Sequence, residues 1–288
     1  MKTLSLSVQD VVQLQEECDS LIVEQNASCL IQIFSSQSKE CVRSYYSLLK
    51  KRFPNAEIIG LSVIHASVNS SIYTQSTVIS ISTFESTDVT SVAVYHSKNE
   101  KDVGHQLLRK LSMNQTSKSV IAFGCYGSAS NYPLFEAFSE YAIAVPVSGG
   151  VAADAGNGRW VFLDGEFYQD HLVAIALHSE VLQVWYEAFV EWNPVGKYFR
   201  ITSSEGRTVQ SIDHIPAYDF YCKYLADDKK LSLSQIQTFP LMIEEETARR
   251  INTVESITKE GYLQFASDVA IGDQVRFSYS HPSLTQEK

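Results

Sequence analysis

Nothing in this sequence approaches the ~20 consecutive apolar residues that a membrane-spanning helix needs. Basic residues are the minority charge, 23 Lys and Arg against 33 Asp and Glu, for a formal net charge of −10. That balance argues against general nucleic-acid or anionic-membrane binding, which need a basic surface. The N-terminus, MKTLSLSVQDVVQLQEE, turns acidic before any signal-peptide apolar region forms. Cysteine is sparse: Cys18, Cys29, Cys41, Cys125 and Cys222 are odd in number, widely spaced and free of any CxxC pair. They are expected to be reduced thiols in a cytoplasmic protein.

Several catalytic and cofactor signatures are missing too. There is no GxSxG elbow, no Walker loop and no GxGxxG. The seven histidines show no HxH or HxxxH spacing, and His171 and His178 bracket one strand at an odd separation that points them to opposite faces. No CxxCH offers covalent haem attachment. No internal repeat or low-complexity tract interrupts the chain.

What is present is material for a core. Apolar residues make up 44% and aromatics 11% of the 288 residues, enough for one large domain or two ordinary ones. The spacing of apolar residues predicts a helix over 8–24 capped by Ser7, a strand over Ser28–Phe34, a helix over 38–53 stopped by Pro54, and a strand over Ala56–Val63. Strands follow at Thr77–Phe84 and Val89–Tyr95, with Ser and Thr on one face. After them come a helix near 99–113, a strand at 119–124, and a helix at 131–141 with Pro133 near its first turn. Three more strands are expected within 160–187, then a hairpin pairing Tyr198–Thr202 with Thr208–Ile212. A helix is expected over Ile215–Leu225, and strands at Ala248–Ile257, Tyr262–Ala266 and Gln274–Tyr279. The order predicts an α/β fold of two mixed-sheet domains, 1–190 and 191–288, with WNPVGK (192–197) at the boundary.

The stretch Pro146–His178 stands out, with its Gly149-Gly150 pair and a second turn at Gly156-Asn157-Gly158. Adjacent glycines allow positive φ and close approach, and successive N–H groups at 148–150 would form a nest for a carboxylate or phosphate. Asp154 and Arg159 flank the second turn with opposite charges. The plain alternative is a tight strand connection with no ligand. Ser148 and Cys125 are the candidate nucleophiles, though no histidine bears a readable relation to Ser148, and a thiol after an apolar strand is ordinarily inert. Asp213 and His214 lie between a hairpin strand and a Pro-started helix, where the imidazole faces a pocket or simply bonds Asp213. The run 244–250 (EEETARR) reads as a solvated charged face.

Four blocks together resemble the FIST domain, a sensory input module of prokaryotic signalling proteins with an F-box-associated relative in eukaryotes. They are IIGLSV…STVISISTFE (58–85), VPVSGGVAADAGNGRWVFLDGEF (145–167), HLVAIAL (171–177) and WNPVGKYFRITSSEGRTVQSIDHIPAYDFYCKYL (192–225). The chain departs from the family pattern at Ser62-Val63-Ile64-His65-Ala66, where relatives carry a further glycine and an acid. Relatives also continue past this chain's end, so the second domain is expected to be truncated. The resemblance implies a sensor without catalysis of its own, coupled to a fused or partner output domain: a diguanylate cyclase, phosphodiesterase, histidine kinase or chemoreceptor. The ligand it implies is an amino acid or related metabolite, held by Ser148, Gly149, Gly150, Asp154, Arg159 and Asp213. It also leaves open haem on His214 with nitric oxide as the signal, and a hydrolase using Ser148 or Cys125 is a third reading.

Overall fold

The strand His171–His178 (β12) is apolar at every interior position, the pattern of a strand buried on both faces. Val173, Ile175 and Leu177 enter one core, while Leu172, Ala174 and Ala176 enter another. That alternation sets the layering of the first of two compact units. The computed structural model describes residues 1–19, 28–97, 99–125, 137–138, 145–186, 192–226, 229–244 and 249–280. Among these, the first unit runs to Tyr186 and the second begins at Trp192.

In the first unit, β12 sits in a four-stranded sheet with Asp88–Tyr95 (β7), Ser117–Cys125 (β8) and Val147–Val151 (β9), ordered β7-β12-β8-β9. A six-stranded sheet packs against it, built from Lys2–Val8 (β1), Thr77–Phe84 (β6), Ser28–Ser35 (β2), Ala56–Ser62 (β3), Val161–Leu163 (β10) and Glu166–Tyr168 (β11), in that spatial order. Leu30, Ile59, Leu61 and Val161 of the larger sheet meet Phe123, Val173, Ile175 and Leu177 of the smaller in one core. The far face of the six-stranded sheet is covered by Val11–Asp19 (α1) and Lys39–Arg52 (α2), and that of the four-stranded sheet by Glu100–Lys110 (α3). The unit is thus layered helix, sheet, sheet, helix. Both sheets are mixed: β2–β3 and β8–β9 are parallel and the other pairs antiparallel.

Local chemistry explains the element ends. Ser38 Oγ accepts from Cys41 N at 3.4 Å to start α2, and Pro54 follows its last turn, which carries Lys50, Lys51 and Arg52. The start of the chain differs from expectation. Lys2–Val8 is a strand paired in register with β6, so Ser7 caps nothing; Asp10 Oδ1 accepts from Gln13 N at 2.9 Å at the head of α1. A short hairpin, Ala66–Val68 (β4) with Ser71–Tyr73 (β5), follows β3. Its two turn residues, Asn69 and Ser70, have φ of 51° and 63°, the mirror-image turn that suits strand twist. The helix expected at 131–141 lies outside the described residues except at 137–138, which are helical.

The second unit holds an eight-stranded sheet in which every described pair is antiparallel. WNPVGK, expected as a boundary, is the first part of a long strand, Trp192–Glu205 (β13), paired with Gln274–Ser280 (β20). Pro194 has no N–H to donate and Gly196 takes φ of 78°, and the register shifts between Val195 and Phe199. The predicted hairpin is present, joining β13 to Thr208–Ile212 (β14). Ile215–Pro216 (β15) turns back onto β14 before the helix Ala217–Leu225 (α4), and Leu233–Gln237 (α5) follows with a complete capping box at Ser232 and Gln235. Phe220 of α4 and Ile236 of α5 join Phe199, Ile201 and Phe277 of the sheet in one core.

Candidate functional site

The turn after β2 is held by a buried hydroxyl network. Ser35 Oγ lies 2.6 Å from Thr77 Oγ1, which donates to Gln37 Oε1 at 2.8 Å. Tyr45 OH donates to the same oxygen at 2.8 Å, and burial pushes its phenol up to about 12. Beside it, Ser62 at the carboxyl end of β3 accepts from Trp160 N through its hydroxyl at 3.0 Å and from Ala153 N through its carbonyl at 2.9 Å. The glycine-rich connection 152–160 is therefore tied across the carboxyl end of β3. Asn157 Nδ2 reaches Ser36 O after β2 at 3.4 Å. In open α/β sheets this end of a parallel pair is where ligands bind.

A cavity of about 600 Å³ lies on the face of the six-stranded sheet that looks toward the second sheet, over the middle of β1, β6 and β2, and none of 152–160 lines it. The second sheet packs over β2, β3 and β10, while the β4–β5 hairpin lies against β6 and β1. Ser5, Gln32, Phe34, Val78 and Ser80 form the cavity floor; Val63, His65 and Ala66–Asn69 form its other wall. Register explains the floor. Ser5 is opposite Ser80 on β1 and β6, and Ser80 is opposite Gln32 on β2, so three polar side chains line up across three strands. Ser5 Oγ donates to Ser80 Oγ at 3.0 Å. Phe34, two residues beyond Gln32, is held by an edge contact with Phe123 at 5.6 Å.

The residues singled out from sequence lie elsewhere. Ser148, Gly149 and Gly150 are exposed in β9, an edge strand laid along β8, so their amides follow a strand instead of converging in a turn. Gly149 has φ of 148°, and a Cβ there would stand 1.8 Å from Ala122 O; at Gly150 it would meet nothing within 4 Å. Close approach is thus a property of Gly149, imposed by its neighbouring strand. Asp154 Oδ1 accepts from Gly156 N at 2.7 Å and Gly158 N at 2.9 Å, closing its own turn. Arg159 is exposed at the end of that loop. Asp213 and His214 belong to the second unit and form the two-residue turn between β14 and β15, with φ of 46° and 63°. Asp213 Oδ1 accepts from Arg200 N at 2.8 Å.

A model of the FIST N domain matches residues 29–215, well over half of the sequence. The chain belongs to the FIST family. FIST is a sensory domain family, and membership supports a role as a sensor in signal transduction. No curated protein matches the chain. The FIST match begins at β2, leaving out β1 and Ser5, and takes in the other strands of both sheets of the first unit, the cavity floor at Gln32 and Phe34, and the β4–β5 hairpin. No helix among the described residues is long and apolar enough to cross a membrane.

Other chemistry finds less support in this FIST chain. Haem needs an apolar enclosure around a ligating imidazole, whereas His214 is exposed on a two-residue turn and lines neither this cavity nor a smaller one near Phe84; His214 as placed does not fit that group. Cys125 is buried, and burial raises its thiol away from the reactive thiolate. Ser148 has no histidine partner among the described residues. His178 is buried between Thr90 Oγ1 at 2.9 Å and Ser117 Oγ at 3.0 Å, a structural pairing. No group of three or more His, Cys, Asp or Glu side chains converges as a metal set among the described residues.

Proposed function

We propose that this chain is a small-ligand sensory input module whose ligand enters the cavity between the β4–β5 hairpin and the β1–β6–β2 margin of the larger sheet. The cavity itself carries the proposal. At about 600 Å³ it falls within the range of metabolite sites, and it combines an apolar wall with a few placed polar groups. The ligand is a small metabolite, of the size of an amino acid or somewhat larger, and the output belongs to a fused or partner signalling enzyme.

Signalling requires that the ligand bind two conformations unequally. A molecule touching both Gln32 on the sheet and Ala66–Asn69 on the hairpin favours the arrangement in which hairpin and sheet are close. The hairpin is held by its own ladder and a tight turn, and joins the rest of the unit through Val63–His65 and the residues after Tyr73.

The test is a metabolite screen by thermal shift on the whole chain, with hits measured by calorimetry. Ser80→Phe fills the floor from a half-buried position and is expected to abolish binding while circular dichroism and the unfolding transition are kept. A hit that binds Ser80→Phe as tightly as the parent, but is lost in Asp154→Asn, would move the site to the glycine-rich loop.

A further inference from the structure

We propose that the molecule taken by this cavity is an uncharged planar amide, a carboxamide, lactam or nucleobase-like ring presenting N–H and C=O side by side, and that Gln32 reads it. The inference rests on the cavity being the ligand site.

The first argument is charge. None of the cavity's lining residues is Asp, Glu, Lys or Arg, and His65 at the exposed rim is the one ionisable group among them. A zwitterionic amino acid would leave its ammonium without a carboxylate and its carboxylate without a cation inside the cavity. A charged group taken out of water without a partner is strongly disfavoured. An uncharged polar ligand meets no such penalty.

The second argument is hydrogen-bond supply. The hydroxyls on this face of the sheet are paired with one another: Thr3 with Ser82 at 2.9 Å and Ser5 with Ser80 at 3.0 Å. Gln32 is half-buried on the floor and its side chain has no hydrogen-bond partner among the described residues. Its side chain offers one N–H₂ donor and one C=O acceptor in a plane. The complement is a group with an acceptor and a donor in the same relation, which is the edge of an amide or of a nucleobase, the pairing by which Gln reads adenine. Ser80 accepts from Ser5, so its own proton remains available for a further ligand carbonyl.

The third argument is shape. Phe34 follows Gln32 on the same face of β2, with Val78 beside it on β6, so a ring whose edge meets Gln32 rests its apolar body on Phe34 and Val78. Val63 and Val68 lie on the opposite wall.

The experiment uses the whole chain and calorimetric titration with uracil, nicotinamide and benzamide. The matched controls are 1,3-dimethyluracil, nicotinate, N,N-dimethylbenzamide and leucine. At least one of the three amides is expected to bind, with its N-methylated or charged counterpart tenfold or more weaker. Gln32→Leu is expected to weaken that amide about ten- to hundredfold, the loss of two neutral hydrogen bonds, and to erase the preference over the methylated control. Gln32→Asn serves as a second variant should Gln32→Leu unfold. If nicotinate or leucine binds as tightly as the amides and Gln32→Leu leaves them unchanged, the amide class is wrong while the cavity stands, provided Ser80→Phe still abolishes binding. If Ser80→Phe changes nothing, the cavity reading fails and this inference with it. If no amide binds a folded protein at millimolar concentration, the inference is overturned.

Discussion

Replacing Gly149 by Ala is expected to be among the most damaging single-methyl changes in the first unit, and the same change one residue later to be nearly silent. At Gly149 the added Cβ would lie 1.8 Å from Ala122 O and 2.8 Å from Ala122 C, with φ at 148°. Carbon and oxygen cannot approach so closely, so β9 must move more than an ångström away from β8 or rotate out of that φ. Moving away breaks about two ladder hydrogen bonds of the parallel pair, each worth about 1 kcal/mol net, and an alanine that keeps this φ costs about 1–3 kcal/mol more. The combined loss is about 3–5 kcal/mol by these principles. Gly150 has no atom within 4 Å of its virtual Cβ and an ordinary φ. Ala there is expected to be neutral, or to stabilise by about 0.4–1 kcal/mol through a less flexible unfolded chain. Urea unfolding of the two variants, followed by Trp160 fluorescence in the first unit, separates the cases. A Gly149→Ala midpoint equal to the parent's, or a Gly150→Ala loss as large as that of Gly149→Ala, would refute the reasoning.

Asp154→Ala removes the acceptor of two backbone N–H groups in an exposed loop, so amide exchange at Gly156 and Gly158 should accelerate with little change in the global unfolding midpoint; Asp154→Asn keeps an oxygen at that place and should preserve protection. Burial raises Tyr45 from 10.0 to about 12 and Cys29 from 9.0 to about 11. Both groups stay protonated in the fold at pH values where the unfolded chain has released its protons, so their stabilising contribution is complete below about pH 9 and is lost as pH rises through 11–12; Tyr45→Phe should flatten the upper part of that decline in alkaline melting curves. In thiol labelling of the native protein read by mass spectrometry, Cys41 should react first, since Cys18, Cys29, Cys125 and Cys222 are buried; rapid labelling of Cys125 would revive it as a nucleophile.

The sequence showed the fold wherever one strand's own pattern decides its state. LVAIAL (172–177) is apolar at every position and has the length of a strand covered on both sides, and Pro54 stops α2 as its ring requires. It misled where two patterns overlap. Val8 fits both the alternation of KTLSLSV and the helical face beyond it, and counting it with the helix hid β1. The three-residue strands β4 and β5 are too short to show any period. The paired glycines were ambiguous for another reason. A glycine permits a turn, but it is also what a strand needs where a neighbour's carbonyl comes too close, and Ala122 lies far away in the chain.

The cavity was half visible in the same sense. The alternation of β1 and β6 already sets Thr3, Ser5 and Ser7, and then Ser80 and Ser82, on single faces. What it cannot give is register, since one residue of slip would turn those faces around. Pairing supplies the rest by setting Ser5, Ser80 and Gln32 in one row. That row is half-buried and open to the cavity. On β2 and its neighbour β3 the positions under the second sheet are Leu30, Ile59 and Leu61, all buried, and a hydroxyl or amide in such a place loses apolar burial and must find a partner. Ser, Ser and Gln stand where the second sheet gives way to the hairpin, and the Gln32 side chain has no hydrogen-bond partner among the described residues. On the reading proposed above, this polar row serves what enters the cavity, while the apolar positions beside it hold the sheets together.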